Sequence, residues 1–147
     1  MSKIVNTDNV TVYMVEVTGY LVIDHSIREL CTRPYPGHPD GCPNFGNNPE
    51  CPPAAPVVEE FIDMGKPHYF LVAEYNICEN QKKADIWNVI QSVLKKSIHM
   101  YENELSGCVA TLHPSAVGVD VFKTAASVGI TLQSTPVCGI ALIGYPP

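Results

Sequence analysis

Apolar and polar positions alternate first in VTVYMVEV, Val10 to Val17. That run is rich in β-branched and aromatic residues and predicts a strand. Gly19 interrupts it, and Tyr20 to Ile23 reads as its resumption. Asp24 to Leu30 (DHSIREL) predicts a short helix with Asp24 as its N-cap. Order returns near Val57, where Glu59, Glu60 and Asp63 read as a helix start or an acidic surface. HYFLVAEY, His68 to Tyr75, has an apolar centre and predicts a second strand. The period then changes. Ile86, Ile90, Val93, Leu94, Ile98, Tyr101 and Leu105 recur at spacings of three and four, which predicts one long helix over Asn80 to Leu105. Ser106-Gly107 ends it. Cys108 to Leu112 predicts a short strand, Val119 to Ser127 a helix stopped by Gly129, and Ile130 to Gln133 with Cys138 to Ile143 the last two strands.

This order predicts an α/β (α+β) two-layer sandwich: a small mixed sheet, one long and one short helix, and strand–helix–strand crossovers. The terminal ITLQ and CGIALIG segments are expected to pair antiparallel. A chain of 147 residues with no internal repeat is expected to be a single domain over residues 1–147.

The segment between the first two strands does not fit either period. CTRPYPGHPDGCPNFGNNPECPP, Cys31 to Pro53, holds three cysteines, seven prolines and three glycines. Eight of the chain's 13 prolines lie between Pro34 and Pro56. Proline removes backbone donors and pushes the preceding residue to extended conformations, so neither a helix nor a central strand is expected there. Loops longer than about 12–15 residues are uncommon in compact domains and are usually functional or disordered. The composition suits disorder, whereas the cysteines argue for a metal, which supplies the ordering free energy that burial cannot. Residues 31–56 are therefore read as a metal-binding loop, with Cys31, Cys42 and Cys51 as ligands.

Charge narrows the function classes. A net charge of −6 and a pI near 5.2 argue against a nucleic-acid partner, which calls for a basic face. The basic pairs Lys82-Lys83 and Lys95-Lys96 have helical spacing and read as a solvated face. MSKIVNTDNVTVYMVEV lacks the pattern of a secretory signal, and no run approaches the ~18 apolar residues of a membrane span. The expectation is a cytoplasmic protein with no membrane partner. In that compartment cysteines are more often metal-bound, catalytic or buried than disulfide-bonded.

The spacing Cys-x10-Cys-x8-Cys is neither the paired-knuckle zinc pattern nor the bacterial ferredoxin run. Its flanks add to it. Cys42 and Cys51 are each followed by proline, like the last cysteine of the ferredoxin run. Gly41 and Gly46 permit tight turns. Iron–sulfur ligation, structural zinc closed by a fourth Cys or His, and free or disulfide-bonded thiols all remain open on these residues.

GCPNFGNNPECPP resembles the GCPxYG…CPP signature of an uncharacterised prokaryotic family of predicted metal-binding, cysteine-rich proteins. PSAVGVDVFKT, Pro114 to Thr124, is similar to that family's PS…VGIDVF segment, and IDHSIRELC, PYPGHP and the closing GITLQ…ALIG also fit it. The resemblance spans roughly Ile23 to Gly144. It implies a cysteine-bound metal centre, above all an iron–sulfur one; the expectation drawn from it is a 4Fe–4S cluster held by Cys31, Cys42 and Cys51, with a redox or sulfur-related role toward a small molecule or a redox partner. It implies no assigned reaction. Longer relatives carry a second cysteine-rich segment before the PS…VGIDVF block, where this chain has only Cys108.

A 4Fe–4S cube takes four ligands. Cys108, Cys138, Cys78 or His38 is a candidate for the fourth, or one iron is left open for a substrate, which is the basis for an enzymatic reading. Cys78, Cys108 and Cys138 each lie in or beside apolar runs and read equally as small core residues. A Cys108–His113 nucleophile has no third group to support it, and no phosphate-binding, dinucleotide-binding or serine-hydrolase motif is present. The competing reading is a non-enzymatic interaction module stiffened by zinc or a cluster. The apolar end of the chain, ALIGYPP, leaves room for a homo-oligomer formed through a strand edge.

Overall fold

A computed structural model describes residues 5–7, 10–32, 55–75, 83–130 and 138–147. Five strands form one sheet: β1 (Val5–Thr7), β2 (Val10–Glu16), β3 (Tyr69–Tyr75), β4 (Val109–Thr111) and β5 (Cys138–Gly144), in the order β1-β2-β3-β5-β4. β2 and β3 pair over seven residues, from Val10 opposite Tyr75 to Glu16 opposite Tyr69. The whole of 17–68 is inserted between them. That insertion carries a 3-10 helix (His25–Thr32), the cysteine loop and the single turn α1 (Val58–Phe61).

The long helix forms as α2 (Lys83–Glu104) and lies across one face of the sheet. Its buried positions Ile90, Val93, Leu94, Ile98 and Tyr101 repeat the three-and-four spacing of the sequence. They meet the same-face residues Val10, Val12, Leu71, Ala73, Tyr75, Ala141 and Ile143. The side chain of Ile86 lies outside the described residues. Ser97 interrupts the stripe but donates from Oγ to the Val93 carbonyl at 2.9 Å, so its burial leaves no unpaired hydroxyl. Full burial of each large aliphatic side chain contributes about 1.5–3 kcal/mol.

The opposite face presents the alternate residues Phe70, Val72 and Leu142 with Val17. It is covered by short elements: Ala55, Val58 and Ile62 from the α1 region, and Val117 and Val119 from the segment after β4. The α+β architecture is thus sheet plus long helix, with a second, thinner covering of the other face. Alternation along each strand divides the two cores cleanly.

Three differences from the sequence pattern have physical causes. The sheet is antiparallel in every neighbouring pair rather than mixed. The β3–α2–β4 crossover does give two strands of the same direction, but β5 inserts between them, so they never pair. Tyr20 to Ile23 resumes pairing at one position only, Ile23 opposite Val119. The expected helix from Val119 begins later, as α3 (Val121–Ser127), because Val119 is used by that bridge and Asp120 is the extended N-cap, its Oδ1 accepting from the Lys123 amide at 3.0 Å. A second 3-10 helix, Pro114–Val117, precedes it. β1 was not evident in the sequence. The Ile130–Gln133 strand and its pairing with β5 fall outside the described residues. β5 pairs with β3 over Cys138–Ile143 and with β4 over Leu142–Gly144. Among the described residues no helix is long and apolar enough to cross a membrane.

Candidate metal-loop neck

Cys42 and Cys51, with Cys78 and His38, lie outside the described residues, and so do the side chains of Cys31 and Cys138. The structure describes instead the two points where the chain enters and leaves the cysteine loop: the 3-10 helix ending at Thr32, and Ala55 before α1.

Local sequence builds the entry. Asp24 caps the 3-10 helix, its Oδ1 accepting from the Ser26 amide at 3.1 Å and from the Ser26 hydroxyl. These two hydrogen bonds, from the hydroxyl first, hold the Asp24 carboxyl below its ordinary range. In a 3-10 helix residues three apart stand in one row. His25 and Arg28 occupy such a row, and Cys31 is the next position along it.

Arg28 ties three segments together. Its Nε donates to the Ala116 carbonyl at 3.0 Å, and its Nη2 donates to the Ala55 carbonyl. Ala116 belongs to the second 3-10 helix, inside the PSAVGVDVF block, and Ala55 closes the loop. His25 repeats the link one turn earlier: its Nε2 lies 3.1 Å from Glu59 Oε2 on α1. Both side chains are about half exposed, 49% and 47%, so this pair contributes little by itself.

Backbone contacts lock the entry helix to the block after β4. The Asp24 amide donates to the Gly118 carbonyl at 2.7 Å and the Asp120 amide to the Val22 carbonyl at 2.8 Å. The Val22 amide donates to the buried Thr124 Oγ1 at 2.8 Å. Gly118 is left-handed, with φ of 93°, and a Cβ there would stand 3.0 Å from His25 Nδ1. Glycine is required by both the backbone and the approach. The segments IDHSIREL and PSAVGVDVF, far apart in the chain, therefore form one contiguous wall beside the loop's two ends.

Cys108, the remaining expected ligand, packs with Leu105, Ala110 and Leu112 against the α2-side core. The loop's exit belongs to the other core, with Ala55 and Val58. The structure does not bring Cys108 together with the neck. Burial first, and then the Glu102 carboxylate, push its thiol up from the ordinary cysteine value. Among the described residues no three His, Cys, Asp or Glu side chains gather to hold a metal ion.

Sequence reasoning did not single out Arg28 or His68. His68 is fully buried beside Val17. Its Nδ1 donates to the Lys66 carbonyl at 2.9 Å, and its Nε2 has no partner among the described residues. The signal for Arg28 was its place three residues before Cys31. A basic residue in the last turns of a helix that leads into a cysteine loop is a candidate for more than solvent contact.

Compared with protein-family models, curated proteins and solved structures, the chain matches none.

Proposed function

We propose that the chain is an iron–sulfur protein, its cluster held by Cys31, Cys42 and Cys51, with a redox or sulfur-related role. The observation that carries the reading is the closed neck. Arg28 holds Cys31's helix and Ala55 to the same wall, so the loop that bears all three cysteines begins and ends at one place. A long proline-rich loop with its ends already fixed has lost much of its closure entropy, which lowers the cost of gathering its thiolates on a metal.

The donor set fits the group. Thiolates are the soft ligands that iron–sulfur clusters use, and cysteine-proline steps recur in ferredoxin ligand runs. When bound, the cluster would supply electron transfer, or an open iron for a small molecule if no fourth protein ligand closes it. The neck's own residues do the positioning.

Individual serine substitutions test the ligand set. Cys31→Ser, Cys42→Ser and Cys51→Ser should each abolish the visible absorption of anaerobically prepared protein, with Cys108→Ser as the comparison. Visible absorption that survives all three loop substitutions would remove the reading.

A further inference from the structure

We draw no further inference here: the strongest candidate, the fully buried imidazole of His68 where the insertion rejoins β3, carries nothing, because nothing among the described residues shows what its unpartnered Nε2 would meet.

Discussion

Arg28 and Ala55 stand on opposite sides of the cysteine loop in sequence and are joined by a hydrogen bond from Nη2 to the Ala55 carbonyl. The same guanidinium reaches Ala116. Entry, exit and a wall contributed from much later in the chain therefore meet at one side chain. The consequences of that meeting can be measured without knowing the protein's partner.

Gly118 is where the wall approaches the entry helix most closely. Gly118→Ala should cost about 1–3 kcal/mol, because its φ of 93° suits glycine and the new Cβ would stand 3.0 Å from His25 Nδ1. Metal retention should fall with stability, since the two 3-10 helices are pushed apart. An unfolding midpoint equal to wild type in urea would contradict the geometry of the neck.

Gly139 provides the matching control on the other face. A Cβ there would meet Ile90 Cγ2 at 2.5 Å and Leu94 Cδ1 at 3.0 Å, both buried side chains that α2 packs onto the sheet. Gly139→Ala should destabilise by about 1–3 kcal/mol through overpacking. Metal content per folded chain should stay at the wild-type level, because this contact lies across the sheet from the neck. Loss of metal at unchanged stability would show that the two faces are not independent.

Asp24 gives the neck a pH dependence of known sign. Its carboxyl is held below the ordinary aspartate value of 3.8 by the Ser26 hydroxyl and amide. A folded-state value below the unfolded one contributes stability that is complete above the unfolded value and is lost as pH falls through the folded value. NMR titration of the Asp24 carboxyl should therefore show a midpoint below 3.8, and Asp24→Asn should remove that contribution. A midpoint above 3.8 would mean that the cap is not formed in solution.

Cys108 separates the loop from the rest of the chain's sulfur chemistry. Burial and Glu102 raise its thiol, so at neutral pH it is the less reactive protonated form. With the other five cysteines replaced by serine, alkylation of Cys108 should be slow at pH 7 and should accelerate only above pH 9.0, the ordinary cysteine value. Rapid modification at pH 7 would place it in a more polar setting than the α2-side core.

The fold was legible where periodicity was strong. The three-and-four stripe from Ile90 to Tyr101 and the runs at Val10 and Tyr69 each describe one buried face, and the elements formed there within a few residues. Sheet order was not legible. Insertion of β5 between β3 and β4 depends on pairings between distant segments, which no local pattern encodes. The split of the Pro114–Ser127 region was hidden for a similar reason: Val119 leaves the helix to pair with Ile23, nearly a hundred residues earlier. At the candidate site, the sequence singled out cysteines, prolines and two motif blocks. It did not reveal that IDHSIREL and PSAVGVDVF are neighbours, nor that Arg28 joins them, because that junction is made by backbone carbonyls that any residue type supplies.

The most direct measurement is the content of iron, zinc and acid-labile sulfide per chain after anaerobic preparation and reconstitution, with Cys42→Ala measured beside wild type. The account predicts about four irons and four sulfides per chain, lost in the variant. One zinc without sulfide would contradict the iron–sulfur centre, and equal, negligible metal in both proteins would contradict the metal loop itself.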